Sequence, residues 1–501
     1  MSQAILKSGV GIIALIIAGK ILGLLKDVVI SATFGTGAAI DAYFMAMNIS
    51  TVFFAAFTTT ITLVFLPLYH DRLLNRGESE ASIYANSILN VFAIISCGFM
   101  LVLITFAPQI MSAIDLSSAT ERRDISIIAL RLMATSYVFS TITTFLTSMQ
   151  LARKSYFYLH FVPIISNMMV ILAALFFASQ FGVYAIIIAG VLAWIIQIPF
   201  HSFITRKYFS YRAKINLSKA DLAKLGLLIV PAFLGLLADQ LNVLVTTILV
   251  TSLDLGAISA LNYAYKLILL ASGTFVVAVM TMMFPLFSEH AAKRDMDALS
   301  SAVKRGIRLI CLIMVPITAV TLFYHQDIVS IVFERGAFSR EDTLLTSPIL
   351  FYFAFGLIFM GLREVLNKAF YALKRTTLPL YVSLFSVGLN IPLSLLWIKS
   401  MQANGLALAV SVSIAFCVLC QFFFLRREIG PAFYKGLFPF FLRLCLAAII
   451  AIIILYGCQT ALQSIPTLLR FMVASGLAIG GYGIALWILR IEELDLIKRR
   501  L

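Results

Sequence analysis

Hydrophobic residues fall along this chain in long blocks of about 20–30 positions, separated by short stretches of charged and polar residues, Gly and Pro. Blocks of that length suit α-helices crossing a hydrocarbon layer of about 30 Å. They predict fourteen helices, near residues 6–33, 38–69, 81–108, 124–152, 156–179, 183–205, 220–251, 255–288, 298–324, 342–372, 377–399, 404–425, 436–460 and 466–490. The charges between them alternate by side. Lys7, Arg72, Arg76, Arg153, Lys154, Arg206, Lys207, Arg212, Lys214, Lys219, Lys293, Arg294, Lys374, Arg375, Arg426, Arg427, Lys435, Lys498, Arg499 and Arg500 belong to the termini and every second loop. Only Arg122, Arg123, Arg335, Arg340 and Lys399 fall on the other side. Basic loops stay in the cytoplasm, so both termini are expected there.

Composition agrees with the pattern. Of 501 residues, 61% are hydrophobic and 12% charged, where soluble domains carry about 25% charged residues. The net charge of +15 resides in short loops and no nucleic-acid signature accompanies it, so no nucleic-acid partner is expected. Cys417 and Cys420 have the spacing of a metal or redox pair, but with no second pair they read as small core residues of a helix. The run after Lys7 resembles a signal peptide, yet it has no small-residue cleavage site before Lys20 and reads as the first helix. The outer loops are short, the longest being about Tyr324 to Glu341, and the five histidines are scattered near helix ends. That excludes the external acidic and histidine-bearing domain expected of a membrane glycosyltransferase or polymerase.

An internal repeat divides the chain. Leu22-Gly23-Leu24-Leu25-Lys26-Asp27 recurs as Leu234-Gly235-Leu236-Leu237-Ala238-Asp239. Phe65-Leu66-Pro67 closes the second predicted helix much as Phe284-Pro285 closes the eighth, and Asn167 and Gly182 match Asn390 and Gly405, both pairs 223 residues apart. A repeat of six helices predicts two parallel lobes, 1–215 and 216–430, around a central cavity, with 431–501 adding the last two helices. The fold class expected is thus an all-α polytopic membrane protein with alternating-access architecture.

Some charges sit where hydrocarbon is expected: Lys20, Lys26, Asp27, Arg131, Asp239, Lys266, Arg363, Glu364 and Lys368, with Asp41 near the outer end of the second helix. A charge at the bilayer centre costs about 2.5–3.5 kcal/mol on insertion scales, so such residues face a cavity or a partner. Lys20, Lys26 and Lys266, with Asp27 and Asp41, predict a net positive site for phosphate or pyrophosphate. Arg363, Glu364 and Lys368 lie towards one end of their helix and read as interfacial. Asp239 has no basic residue within a turn, so it should protonate, pair or bind a cation, with Asn390 as a possible co-ligand. No nucleotide-binding motif is present and no cofactor is expected; an energy source would be Na+, H+ or the membrane potential.

Together, Lys20-x-Leu22-Gly23-x-x-Lys26-Asp27, Phe34-Gly35, Asp41-Ala42-Tyr43-Phe44, Phe65-Leu66-Pro67, Tyr263-Ala264-Tyr265-Lys266, Phe333-Glu334-Arg335-Gly336-Ala337-Phe338 and Leu366-Asn367-Lys368-Ala369-Phe370-Tyr371-Ala372-Leu373 resemble the MurJ/MviN family of the multidrug/oligosaccharidyl-lipid/polysaccharide exporter superfamily. The resemblance spans essentially the whole chain. It implies a monomeric flippase in the bacterial inner membrane that carries lipid II, the undecaprenyl-pyrophosphate-linked peptidoglycan precursor, from the inner to the outer leaflet. It further implies that Lys20, Lys26 and Lys266 stand where the family has arginines, keeping the charge but losing the bidentate fork. The last two helices resemble those that form a groove for the polyprenyl tail. Asp239 and Asn390 match a cation site found in some members, with Ser394 and Val410 in place of oxygen ligands there. Where the family has a basic pair in the second helix, this chain reads Phe53-Phe54-Ala55-Ala56-Phe57-Thr58-Thr59-Thr60. A flippase of another undecaprenyl-linked precursor, for capsule, O-antigen or exopolysaccharide, fits that departure. A cation-coupled drug exporter is the remaining alternative, and it predicts an aromatic, acidic cavity.

Overall fold

The computed structural model describes residues 3–117, 119–155, 157–217, 219–462 and 464–491. Of the residues named above, Lys498, Arg499 and Arg500 lie outside it, as do the side chains of Lys7, Lys219, Ala238 and Asp239. Among the described residues there is no strand. The helices in order are α1 (Gln3–Phe34), α2 (Ala38–Ile114), α3 (Thr120–Ala152), α4 (Phe161–Phe176), α5 (Ala178–Phe181), α6 (Tyr184–Thr205), α7 (Lys219–Val250), α8 (Ala257–Ala292), α9 (Met296–Phe323), α10 (His325–Phe333), α11 (Arg340–Ala372), α12 (Thr377–Met401), α13 (Ala403–Ile429), α14 (Leu437–Ala461) and α15 (Thr467–Ile488). Among the described residues, eleven helices are long and apolar enough to cross a membrane. A chain in lipid must satisfy its backbone internally, and helices do so within one segment.

Each predicted segment falls on a helical stretch, with three differences. The second and third join in α2, which turns sharply at Gly77 (φ 85°, ψ 178°), a left-handed conformation that glycine adopts without a Cβ penalty. Helices also run through the two prolines read as ends: Pro67 lies inside α2 and Pro285 inside α8, which continues to Ala292. Finally, the long outer loop contains the nine-residue helix α10.

The chain forms two compact units: Met1–Ser259 with Arg335–Phe338, and Ala260–Glu334 with Ser339–Leu501. α7 therefore belongs to the first unit and is tied to α2 by Arg72, whose guanidinium lies 3.1 Å from Asp221, and by Asn48, which donates to Thr247. The first unit's core is aromatic: Phe65 lies 4.1 Å from Phe145 and 5.1 Å from Tyr69 between ring centroids, and Phe57 packs edge-on against Phe92 and Phe99. In the second unit small residues bring helices close, as membrane interfaces favour. Gly356 of α11 sits against Ser411 of α13, and the Ser411 hydroxyl donates to the Tyr352 carbonyl at 2.8 Å.

The segment Arg335–Phe338 meets the end of α1. The amide of Ala337 donates to the Ala32 carbonyl at 2.7 Å, one of the last-turn carbonyls with no acceptor duty inside the helix. Gly336 has φ +61°, and a Cβ there would collide with the same carbonyl. Both features require glycine.

Candidate functional site

In α1, Gly19 packs against Pro163 of α4, and Asn167 donates to the Gly19 carbonyl at 3.3 Å. This seats the helix without using its charged residues. Lys20 and Asp27 are seven positions apart and so share a face, while Lys26 lies about 100° round from Asp27. Lys26 Nζ is 3.6 Å from Asp27 Oδ1, with the two side chains 25% and 14% exposed. Lys20 is half-buried. Lys26 and Asp27 thus form a pair in which the lysine keeps donor capacity for a ligand.

Asp41 has a different neighbourhood. It is fully buried, Oδ2 accepting the Gly256 amide at 2.7 Å and Oδ1 the Ser259 amide at 2.8 Å. These are amides at the N-terminus of α8, where unpaired donors and the helix dipole both favour a carboxylate. Both oxygens are thereby committed to the backbone, which makes Asp41 a positioning residue for α8. Asp41→Ala would leave two buried amides unsatisfied, at about 1–3 kcal/mol each. The variant is expected to lose about 2–5 kcal/mol, read as a lower Tm in detergent, with Asp41→Asn falling between it and the parent.

A second buried charge was not apparent in the sequence. Arg122, read as an outer-loop charge, is completely buried at the corner where α2 ends and α3 begins. It pairs with Asp115, whose side chain is equally hidden, and its Nη2 also reaches Ser117 Oγ (2.6 Å) and the Thr251 carbonyl (2.8 Å). The Thr251 hydroxyl in turn accepts the Leu116 amide. One guanidinium therefore joins three helix ends. Burial pushes the Asp115 carboxyl up, but hydrogen bonds from Arg122 and Ser117 outweigh it and hold the group below the usual carboxylate range.

The Phe53–Thr60 stretch is aromatic packing. Phe54 lies 5.6 Å from Tyr137 and 5.5 Å from Trp194, and with Tyr43, Thr51 and Met133 it lines a cavity of about 180 Å³. No cation stands on this wall.

The second unit contains Lys266, half-buried on α8. Its neighbours Tyr263 and Tyr265 pack on Phe333 and Phe353. Below it on the same helix opens a cavity of about 560 Å³ between α8 and α11. Here the structure corrects one expectation: Arg363, Glu364 and Lys368, read as interfacial, line this cavity. Helix-end proximity suggested solvent, whereas Arg363 and Lys368 are half-buried on the cavity wall and Glu364 is exposed.

Of the expected cation site, Asp239 lies on α7 with its side chain outside the described residues. Asn390 is fully buried, Ser394 donates to its Oδ1 at 3.2 Å, and its Nδ2 has no partner. Among the described residues no group of three His, Cys, Asp or Glu is arranged to hold a metal.

Comparison with known proteins then places the chain. The family described as "Lipid II flippase MurJ" matches residues 30–474. A probable lipid II flippase MurJ of Buchnera aphidicola is 25% identical over 501 residues, covering 95% of this chain and 96% of that protein. One of Thermotoga maritima is 26% identical over 487 residues, covering 96% of each. A solved lipid II flippase MurJ in an inward closed conformation superposes with a TM-score of 0.83 at 24% identity, covering 97% of this chain and all of that one. An inward-facing multidrug resistance transporter of the MATE family superposes with a TM-score of 0.71 at 12% identity, covering 83% of this chain and 96% of the other. At these identities the two superpositions speak to the fold. The match across residues 30–474 speaks to the family, and this chain belongs to the lipid II flippase MurJ family.

Proposed function

We propose that this protein translocates lipid II across the membrane for peptidoglycan synthesis. The observation that carries the reading is the family match over residues 30–474, and the lysines within apolar helices fit its chemistry. A pyrophosphate and its saccharide cannot enter hydrocarbon unaided, because an isolated ionised group loses tens of kcal/mol of solvation there. A transporter must replace that solvation with fixed cations. In our reading Lys20, Lys26 and Lys266 hold the pyrophosphate, Asp27 orients Lys26, and Asp41 fixes α8. The polyprenyl tail stays in lipid, along the C-terminal helices.

The protein works as a monomer in the bacterial inner membrane, with fourteen crossings and cytoplasmic termini. It uses alternating access between lobes 1–215 and 216–430. No cofactor and no nucleic acid take part. Transport draws on a Na+ or H+ gradient or the membrane potential, with Asp239 and Asn390 as the coupling site. The aromatic wall around Phe54 favours a second reading, a different saccharide on the same polyprenyl pyrophosphate. Expression in cells depleted of their lipid II flippase decides between the two. Restored growth supports lipid II; failure to restore growth by a protein that still binds undecaprenyl pyrophosphate supports the other saccharide.

A further inference from the structure

The cavity of about 560 Å³ in the second unit has the size of a ligand pocket and a composition divided between its two walls. On α8 its wall runs from Tyr265 through Leu269, Val276 and Met280 to Phe284 and is mostly apolar, interrupted by Ser272 and Thr281. The fifteen helical rises from Leu269 to Phe284 span about 22 Å. On the facing wall, α11 supplies Arg363, Glu364 and Lys368, with Lys368 over the Phe284 ring and Arg363 within electrostatic reach of Tyr265. A largely apolar trough with cations on its facing wall matches a molecule with an apolar chain and an anionic head.

The cations are held only loosely by the protein. Arg363 Nη2 donates to the neutral Ser383 hydroxyl at 2.9 Å, while its Nε is buried with no partner. Lys368 Nζ rests over the Phe284 and Tyr371 rings, 5.4 and 5.8 Å from their centroids. Ring faces attract an ammonium but do not neutralise it. Among the described residues, neither Arg363 nor Lys368 forms an ion pair, and Glu364 leaves the group with a net positive charge. A buried nitrogen without an acceptor and an unpaired ammonium are donors waiting for a charged acceptor, and phosphate oxygens suit the guanidinium fork.

We infer that this cavity binds a phosphate ester of a long-chain lipid, its phosphate between Arg363 and Lys368 and its chain along the Leu269–Phe284 face of α8. The site is separate from Lys20, Lys26 and Lys266. Resting on the flippase reading, it is a second site for a polyprenyl pyrophosphate, beside the one at Lys20, Lys26 and Lys266; a bilayer phospholipid shares the same chemistry.

The test is native mass spectrometry of the full chain in detergent, with undecaprenyl pyrophosphate and phosphatidylglycerol as separate probes. The parent is expected to take up a second undecaprenyl pyrophosphate, and the R363A/K368A variant to bind that second molecule at least tenfold more weakly, since each charge-assisted contact is worth about tenfold or more. E364Q removes the one acidic group and is expected to bind it several-fold more tightly. Weakening for phosphatidylglycerol alone supports the site with a bilayer lipid as its ligand. Unchanged binding of both probes by R363A/K368A overturns the site. Should that variant fail to fold, E364Q decides, and unchanged or weaker binding overturns the site. Growth rescue by the parent chain, measured in parallel, separates the two readings. Rescue with unchanged binding by R363A/K368A removes this site alone, whereas no rescue removes the lipid II reading and leaves the binding result to stand for the site.

Discussion

Lys26→Ala is expected to abolish transport while leaving expression and Tm close to those of the parent. Lys26 lies beside Asp27 at 3.6 Å and is only partly buried, a quarter of its side chain being exposed. The seat of α1 on α4, through Gly19, Pro163 and Asn167, does not involve it. What disappears is a charged donor to phosphate, worth about 1.5–3 kcal/mol, or roughly 10- to 150-fold in affinity. The loss of transport should exceed that figure, because the Asp27 carboxylate then loses its Lys26 neighbour beside an anionic ligand. Lys266→Ala in the second unit is expected to have the same outcome. Lys26→Arg should retain transport, since the guanidinium keeps the charge and adds a bidentate fork. The measurements are growth rescue in flippase-depleted cells and protein level by immunoblot. Normal rescue by both alanine variants would remove these lysines from the substrate site.

Arg122→Met is expected to produce the largest loss of stability. Removing one member of a buried pair costs about 3–5 kcal/mol, because the remaining charge is left without compensation. Here the loss also frees Ser117 and the Thr251 carbonyl, so three helix ends lose their common donor. The double variant Asp115→Asn with Arg122→Met should recover part of the deficit, as no buried charge then remains. The pH dependence follows from the sign of the Asp115 shift. Its carboxyl is depressed in the folded state, so the stabilisation is present above the unfolded value of about 3.9 and is lost as pH falls through the folded value. The gap in Tm between parent and Arg122→Met should therefore be constant from about pH 7 to 5 and narrow below about 4. A gap that stays constant into acid would show that the pair is not the source of the difference.

The helices were legible because hydrocarbon imposes one solution on the backbone, and long apolar blocks record it directly. Proline misled at two places. Pro67 and Pro285 end helices in water more often than in membranes, where neighbouring groups absorb the missing hydrogen bond, and both α2 and α8 continue past them. α10 escaped notice because nine residues are too few for a membrane-length block.

Charges were harder to read than helices. Lys26 and Asp27 adjoin in sequence, so their pairing was visible there. Asp41 looked like a substrate-side acid, since its partners at Gly256 and Ser259 lie more than two hundred residues away. Arg122 shows the same difficulty: a loop arginine beside polar residues looks solvated until the chain end at Thr251 closes over it. For Arg363 and Lys368 the error ran the other way. Distance from a helix end says how deep a side chain sits but not which way it faces, and the facing wall of α8 decided that.

Translocation itself is the most direct readout of lipid II transport. Purified protein in vesicles containing lipid II, challenged with an external enzyme that degrades only exposed head groups, gives the rate at which inner-leaflet lipid II reaches the outside. The parent protein should raise that rate at least tenfold over protein-free vesicles, and Lys26→Ala should not raise it. Parent vesicles no faster than empty ones, with the protein folded and inserted, would contradict lipid II transport by this chain.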